Sequence, residues 1–450
     1  MQILHAGQAL TPGGWQRDVE IHIGDDGRIA SVAGQKGVAD VRVDLALPAP
    51  VNLHSHTFQR AMAGLTESRG PDARDSFWTW RTLMYRFLER LTPEHVEAIA
   101  AQVFMESLEA GYGGVAEFHY LHHGPGGVAY DNAAEMADRV VAAAEEAGIG
   151  LTLLPVLYER GGCDGRALEG GQLRFGNDLE RYGAVLEGTA LRRADDRMGV
   201  APHSLRAVRA ESLTVVSDMV PEGPVHIHLA EQVAEVEEVL SHTGARPVEW
   251  LLGNAQVDRR WCAVHATQMT DTELVGLAES GAVAGLCPIT EANLGDGMFP
   301  GANFLRAGGR FGVGSDSNVH VTLFGELSML EYSQRLRDRG RAVLADERST
   351  GRVLFEEVAR GGAQAAARGS GGLAVGQVAD ILGVESDNEF LCGRGGDAAL
   401  DTLIFGGRGR ECIREVWSAG RHVVKGGRHL TRGAIVQRFR GVMDELGQGI

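Results

Sequence analysis

Short hydrophobic runs separated by polar and glycine-rich turns occupy both ends of the chain. Near the N-terminus the turn signals are Gly13-Gly14 and residues 25–27. The strands predicted in this region are 2–7, 19–23, 28–32 and 41–45. Beyond about residue 371 the same pattern predicts strands at 379–384, 402–405, 413–418 and 421–425. A small group of short strands is at best marginally stable on its own. We therefore expect both chain ends to share one small β domain.

Between residue 48 and about residue 320, β-rich runs alternate with amphipathic helical patterns. The eight predicted strands are 48–53, 114–120, 151–157, 198–202, 225–229, 262–265, 283–287 and 311–315. The predicted helices are 93–110, 131–147, 207–219, 230–242, 271–279, 322–339 and 352–368. Eight strands alternating with helices predict an α/β fold of the (β/α)8 TIM-barrel type. The rival is a doubly wound open sheet, which is less favoured because no Gly-x-Gly-x-x-Gly follows the first strand.

These patterns divide the chain into three parts. We expect a composite β-sandwich domain from residues 1–47 and 371–430, a catalytic barrel over 48–370 and a C-terminal helix over 431–450. Two insertions interrupt the barrel. Residues 68–88 are rich in Trp, Arg and Phe, and residues 161–176 contain six glycines. The second insertion is either a mobile lid after the third strand or a disordered excursion.

Composition limits the class of partner. The formal net charge of −17 argues against a nucleic-acid or anionic-membrane partner, because no basic excess is present to neutralise phosphates. The five cysteines are odd in number and form no Cys-x-x-Cys pair, which favours a reducing compartment. No secretory signal and no apolar run long enough to span a bilayer is read. We expect a cytoplasmic homodimer that acts on a small molecule.

Side chains that bind metals or move protons occur at the ends of the predicted strands. His54 and His56 end the first strand and share one face of it, because alternate residues of a strand point the same way. The other strand ends carry Glu117 to Tyr120, His203, His228, His265 and Asp316. Any one of these could be structural. Together they favour catalysis, since active sites of such barrels lie at the carboxyl ends of the strands.

Three neutral imidazoles and one carboxylate suit Zn²⁺ or, less selectively, Fe²⁺ or Mn²⁺. A metal with one open position lowers the pKa of bound water from about 15.7 towards roughly 7, which gives a hydroxide nucleophile. Glu231 follows His228 by three residues, at the predicted start of a helix. This position suits a proton shuttle beside the metal. Taken alone, Glu231 is better explained as a first-turn glutamate that the helix dipole favours.

The motifs His54-x-His56, His228-Leu-Ala-Glu231, His265 and Gly314-Ser315-Asp316 resemble the deaminase-like, one-metal branch of the amidohydrolase superfamily. The end of the fourth strand has no lysine, so the sequence gives no sign of a two-metal site. Four segments are similar to the formimidoylglutamate deiminase family, and the resemblance extends over essentially the whole chain. The segments are 52–64, 76–81, 117–122 and 203–206. Ala49-Pro50-Val51 departs from the usual Pro-Gly-apolar pattern, which concerns the backbone more than the chemistry.

The resemblance implies hydrolysis of N-formimino-L-glutamate to N-formyl-L-glutamate and ammonia, a step of histidine degradation. It implies one divalent metal ion, zinc first, bound by four ligands: His54, His56, His228 and Asp316. Metal-bound hydroxide would attack the formimino carbon, oriented by Asp316 and His265, and Glu231 would protonate the leaving nitrogen. The expected substrate contacts are Gln59, Tyr120, His203 and Arg206, with Arg81 of the first insertion as our own addition. Arg81 could equally be a surface arginine.

Two alternatives stay open from the sequence. The first is a related deaminase acting on a purine, pterin or similar heterocycle, whose site should offer stacking aromatics and amide groups more than arginines. The second is a metal-binding barrel without activity. The presence of both Glu231 and His265 speaks against the second alternative.

Overall fold

The computed structural model describes residues 1–34, 37–67 and 84–447. The chain begins with four strands of an outer sheet. They are β1 (Gln2–Thr11), β2 (Gly14–Ile23), β3 (Ile29–Gly34) and β4 (Val41–Pro48). β1 pairs antiparallel with β2 and parallel with β4, so the sheet extends in both directions from β1.

The next nine strands form the barrel. They are β5 (Val51–Ser55), β6 (Gly114–His119), β7 (Gly150–Leu157), β8 (Arg197–Met198), β9 (Ala201–Pro202), β10 (Val225–Leu229), β11 (Trp261–His265), β12 (Val283–Leu286) and β13 (Arg310–Val313). Both β8 and β9 pair with β7, so they are two halves of the fourth barrel strand. All pairings within the barrel are parallel.

Backbone hydrogen bonds close the barrel on both sides. At one junction Asp316 N–H donates to His54 O at 2.9 Å, and His56 N–H donates to Asp316 O at 2.9 Å. At the other, His226 N–H donates to Val200 O at 3.0 Å. Close approach at the first junction requires a glycine, because a Cβ on Gly314 would lie 2.6 Å from the backbone N and O of His54.

Helices surround the barrel and follow its strands. They are α1 (Pro93–Glu109), α2 (Glu135–Ala147), α3 (Leu179–Gly188), α4 (Ala210–Met219), α5 (Val233–Thr243), α6 (Pro247–Asn254), α7 (Asp271–Ser280), α8 (Pro288–Leu294), α9 (Gly301–Arg306), α10 (Leu323–Asp338) and α11 (Thr350–Ala365). α1 begins as its sequence predicts: the Thr92 hydroxyl accepts from His95 N–H, and Pro93 is the first helical residue. Among the described residues, no helix combines the length and the apolar character needed to cross a bilayer.

The C-terminal part returns to the outer sheet. It comprises α12 (Gly396–Phe405), β14 (Ile381–Val384), β15 (Ile413–Ser418), β16 (Arg421–Lys425), β17 (Arg428–His429) and α13 (Arg432–Gly447). The eight-stranded sheet has the order β17-β16-β15-β14-β4-β1-β2-β3, and its two halves meet where β14 pairs antiparallel with β4. The predicted fold class, a barrel with a separate sheet from both chain ends, is confirmed. The exact domain bounds stay a prediction.

One predicted strand is wrong. Residues 402–405 are not a strand but the end of helix α12. The buried residues of α12 are Ala399, Leu400, Leu403 and Ile404. Their spacing of one and three or four residues places them on one helical face. A four-residue apolar run cannot by itself separate a strand from the buried face of a helix.

A buried ionic cluster joins the outer sheet to the barrel. Arg368, only 2% exposed, donates through Nε to Asp380 Oδ2 at 2.7 Å and through a terminal nitrogen to Asp195 Oδ2 at 3.1 Å. Arg421 of β16 also donates to Asp195, at 2.7 and 2.8 Å. Asp195 precedes β8, so this carboxylate connects a barrel strand with the sheet built from the chain ends.

Candidate active site

Four side chains that can bind a metal ion converge at the carboxyl end of the barrel: His54, His56, His228 and Asp316. His54 Nε2 lies 3.1 Å from both His56 Nε2 and His228 Nε2. Asp316 Oδ1 lies 3.5 Å from His54 Nε2 and 3.3 Å from His56 Nε2. A tetrahedral zinc site with bonds of about 2.0–2.2 Å separates its ligand atoms by roughly 3.3–3.6 Å. The distances from His54 Nε2 to its three neighbours, and from His56 Nε2 to Asp316, are therefore close to those between atoms that bind one metal ion.

The protonation states also fit a metal. Burial lowers the pKa of His54 to about 3 and lowers the pKa of His228 well below its usual value, so both imidazoles are neutral. Although burial opposes ionisation of Asp316, hydrogen bonding to His54 and the neighbouring histidines hold its pKa far below the ordinary range. Neutral imidazoles and a carboxylate are the forms that bind zinc.

Neighbouring groups fix the ring of His56. Its Nδ1 lies 2.9 Å from Phe118 O, which makes Nδ1 the donor and leaves the Nε2 lone pair for a metal. The next residue, Thr57, donates from its backbone N–H and its hydroxyl to Glu117 Oε1 at 2.7 and 2.8 Å. Glu117 at the end of β6 thus anchors the chain where it leaves β5. His54 Nδ1 and His228 Nδ1 have no hydrogen-bond partner within the described part of the chain.

Unusual backbone conformations mark three of the strand ends. Ala230, His265 and Asp316 have φ values of 50°, 68° and 46°, in the left-handed region that non-glycine residues rarely adopt. Around Asp316 the conformation is held by amides: Asn52 Oδ1 accepts from Ser315 N–H at 2.9 Å, and Asn318 donates to Asp316 O at 3.0 Å. Such strain persists where surrounding contacts impose it, and it clusters at functional sites.

Glu231 and His265 lie next to the four side chains that can bind a metal ion. His265 Nε2 is 3.8 Å from both Glu231 Oε1 and Asp316 Oδ2, and its Nδ1 is 3.3 Å from Glu291 Oε1. Burial disfavours the imidazolium, but the negative charges of Glu231, Glu291 and Asp316 outweigh it and raise the pKa of His265 well above its usual value. Burial raises the pKa of Glu231 to about 7, which suits a group that accepts and returns a proton near neutral pH.

A cavity opens directly onto these groups. Its lining includes the predicted contacts Gln59, Tyr120, His203 and Arg206, together with His56, His228, Glu231, His265 and Asp316. Gln59 Nε2 donates to the Tyr120 hydroxyl at 2.7 Å, so these two side chains form one polar wall. Arg81 lies outside the described residues.

Several lining or supporting residues escaped the sequence reasoning. Met84, Tyr85, Tyr158 and Phe175 line the cavity, and Glu291 contacts His265 from behind. Glu291 had a weaker signal than Glu231, because it lies four residues after the predicted seventh strand, whereas Glu231 lies two residues after the fifth. Phe175 had none, since it belongs to the glycine-rich insertion and reaches the site only through the folded loop.

That insertion is anchored at its C-terminal end. Arg174, which is fully buried, donates to the backbone oxygens of His123 at 2.8 Å and Leu91 at 3.0 Å, and also to Leu88 O. The contact fixes Phe175 against Tyr120, with ring centroids 4.7 Å apart. Whether residues 161–176 act as a lid stays a prediction.

Comparison with known proteins agrees with this fold and site. The chain matches the amidohydrolase family over residues 45–423, and therefore belongs to that family. Residues 1–44 match a family described as the N-terminal domain of the formimidoylglutamate deiminase HutF.

Within the family the similarity is specific. The formimidoylglutamate deiminase of Pseudomonas aeruginosa is 47% identical, over 99% of this chain and 100% of the relative. The crystal structure of an amidohydrolase from Brucella melitensis is also 47% identical, with a TM-score of 0.94 over 99% of this chain and 100% of the other. An adenosine deaminase from Xanthomonas campestris with bound zinc is 20% identical and shares the fold, with a TM-score of 0.80 over 99% and 98% of the two chains. The resemblance inferred from the sequence is confirmed.

Proposed function

We propose that this protein hydrolyses N-formimino-L-glutamate to N-formyl-L-glutamate and ammonia in histidine degradation. The observation that carries the proposal is the full-length similarity to a formimidoylglutamate deiminase, combined with a deaminase-type site in the barrel. The enzyme is thus a hydrolase of a carbon–nitrogen bond in a linear amidine.

His54, His56, His228 and Asp316 would hold one divalent ion, and three neutral imidazoles with one carboxylate favour zinc. When bound, such an ion lowers the pKa of a coordinated water so that a hydroxide nucleophile forms at neutral pH. Among the described residues other possible metal-binding groups share His265, which we assign a different role.

The chain's own residues divide the remaining work. Glu231 takes a proton from the attacking water and delivers it to the terminal formimino nitrogen, which leaves as ammonia. Protonated His265, held by Glu291 at Nδ1, presents Nε2–H to the oxygen that gains negative charge. Asp316 and His265 together orient the nucleophile. Their proximity to Glu231 supports these roles.

The substrate's two carboxylates need cationic and hydroxyl donors. Arg206 is charged and lies in the cavity wall, and guanidinium groups bind carboxylates in a two-pronged geometry. His203, Tyr120 and Gln59 supply further donors around the same cavity. We assign Arg81 to the substrate as well, on the resemblance of residues 76–81 alone. The cavity also contains aromatic side chains, so the choice of a linear diacid over a planar heterocycle rests on the similarity to a formimidoylglutamate deiminase.

A substrate panel tests the proposal. Metal-quantified protein is incubated with N-formimino-L-glutamate, N-formimino-L-aspartate, guanine and adenosine, and ammonia release is measured for each. We expect kcat/KM for N-formimino-L-glutamate to exceed that for either purine by at least ~1,000-fold, because a site built to pair polar groups strongly rejects ligands that leave them unpaired. A purine preferred over the linear substrate would refute the assignment.

We further propose a cytoplasmic homodimer with no nucleic-acid partner. All five cysteines are free thiols, which supports a reducing compartment, and the acidic net charge disfavours phosphate backbones. Tyr332 and Leu336 of α10 are 40% and 80% exposed and offer an apolar helix face for pairing. Light scattering at several concentrations measures the oligomeric state, and a monomer throughout would refute the dimer.

A further inference from the structure

The turn that carries Glu231 connects His228, a proposed metal ligand, to helix α5. Its first residue, Ala230, has φ = 50°, a left-handed conformation that a residue with a Cβ adopts only when neighbouring groups impose it. The direction of the Glu231 side chain depends on this turn, because the two residues are adjacent. A group that holds the turn would therefore control where the Glu231 carboxyl points.

Glu235 holds the two amides of the turn. Ala230 N–H donates to Glu235 Oε1 at 3.2 Å, and Glu231 N–H donates to Glu235 Oε2 at 3.0 Å. The side chain of Glu235 is 1% exposed, so both of its oxygens are occupied away from water. The residue lies in the first turn of α5, where the helix dipole also favours a carboxylate.

A second segment holds the two carbonyls of the same turn. The Thr267 hydroxyl lies 2.7 Å from Glu231 O and 3.2 Å from Ala230 O, and Gln268 N–H donates to Ala230 O at 3.0 Å. Thr267 follows His265 by two residues. The turn of Glu231 is thus fixed from one side by its own helix and from the other by the loop that carries His265.

We propose that Glu235 is a positioning residue for proton transfer: its carboxylate fixes the 230–231 turn so that Glu231 points at the leaving nitrogen. This role rests on the proposed function, since Glu231 is the proton shuttle only if a carbon–nitrogen bond is cleaved. Glu235 does not line the cavity, although its negative charge also acts on Arg206 and on the Glu231 carboxyl. It acts through the backbone of Glu231, with Thr267 as the opposing contact.

A double-mutant cycle tests the role. Glu235→Ala removes both acceptors and should lower kcat at saturating N-formimino-L-glutamate by about 10- to 100-fold, because a misplacement near 1 Å can cost about 100-fold. Glu235→Gln retains one acceptor oxygen and should lose less. In a Glu231→Gln background, Glu235→Ala should lower kcat by less than ~3-fold further, because residues that act as a unit are not additive.

The matched control is Glu237→Gln, an exposed carboxylate on the same helix, which should keep wild-type kcat. Metal content should remain at the wild-type level in every variant. Additive losses in the double variant, or a loss of kcat that follows loss of metal, would overturn the positioning role. If Glu235→Ala does not fold, the double-mutant cycle is measured with Glu235→Gln instead. Additive losses of kcat in that cycle would likewise overturn the positioning role.

A crystal structure separates this proposal from the proposed function. Glu235→Ala, or Glu235→Gln if needed, should show the 230–231 turn altered and the Glu231 carboxyl moved away from His265 Nε2. An unchanged turn would overturn the positioning role whatever the substrate is. Absence of ammonia release by the wild-type protein would instead defeat the proposed function, and the structural comparison would still decide the role of Glu235.

Discussion

The titratable residues of this site differ chiefly in pKa, because their neighbours shift the pKa of each in a different direction. His54 and His228 are buried among other imidazoles, which keeps them neutral and able to bind a cation. His265 is equally buried but faces three carboxylates, which keeps it protonated. The same side-chain type is therefore neutral in the positions proposed as metal ligands and protonated in the position proposed as a proton donor. The charge environment, rather than the residue type, separates the two roles.

Replacement of Glu231 tests its role as the proton shuttle. Glu231→Gln keeps the shape of the side chain but cannot accept and return a proton, so we expect turnover to fall by at least ~100-fold. Metal content should be unchanged, because Glu231 is not one of the four proposed ligands, His54, His56, His228 and Asp316. Near-normal turnover at full metal occupancy would remove Glu231 from the reaction.

Replacement of His228 tests the metal cluster. His228→Ala removes one of the donors that meet at His54 Nε2, so metal bound per chain should fall well below one equivalent. The control is His226→Ala on the same strand, because its ring contacts Ala365 O at 2.8 Å and is not one of the four proposed ligands. Elemental analysis after dialysis measures both. Full occupancy in His228→Ala would contradict its role as a ligand.

At the scale of elements, the strand ends were predictable and the loops were not. The period of two along a strand and the barrel rule place His54, His56, His228, His265 and Asp316 on one rim. Glu235 and Thr267 could not be recognised in this way, because their role comes from contacts between a helix and a separate loop. Likewise Phe175 reaches the cavity only because Arg174 fixes its loop. The local sequence pattern thus predicts which residues lie at the strand ends. Contacts between distant segments determine how those residues are held in place.

Replacement of Arg174 tests the anchor of the insertion. Arg174→Met leaves the buried carbonyl oxygens of His123 and Leu91 without this donor, at about 1–3 kcal/mol for each unsatisfied group, whereas Leu88 O keeps its bond from Leu91 N–H. Hydrogen exchange of residues 161–176 should become at least ~10-fold faster, and KM should rise because Phe175 loses its fixed position. Arg166→Met, in the same insertion but on an exposed side chain, is the control. Unchanged exchange in Arg174→Met would show that other contacts hold the loop.

At the scale of the whole molecule, the outer sheet and the barrel are joined through Asp195. Burial would raise the pKa of Asp195, but hydrogen bonding to Arg421 and the charge of Arg368 lower it to about 2. An unfolded aspartate titrates near pH ~3.9. The carboxylate therefore stabilises the folded state above about pH 4, and this contribution disappears as the pH falls towards about 2.

Urea unfolding at pH 6 and pH 3 measures this contribution. Asp195→Asn should lower the free energy of unfolding by roughly 2 kcal/mol at pH 6, and the difference from wild type should shrink at pH 3. Asp218→Asn, on an exposed position of α4, should show little change at either pH. A difference for Asp195→Asn that is the same at both pH values would contradict the linkage.

The proposed reaction breaks one particular carbon–nitrogen bond of the substrate. The formimino carbon carries two nitrogens, and Glu231 is assigned to protonate the terminal one. Nuclear magnetic resonance of the products from N-formimino-L-glutamate and metal-loaded protein distinguishes the two cleavages directly. We expect equal amounts of ammonia and N-formyl-L-glutamate, and no turnover after the metal is removed. Formation of L-glutamate and formamide, or equal turnover without metal, would contradict the account.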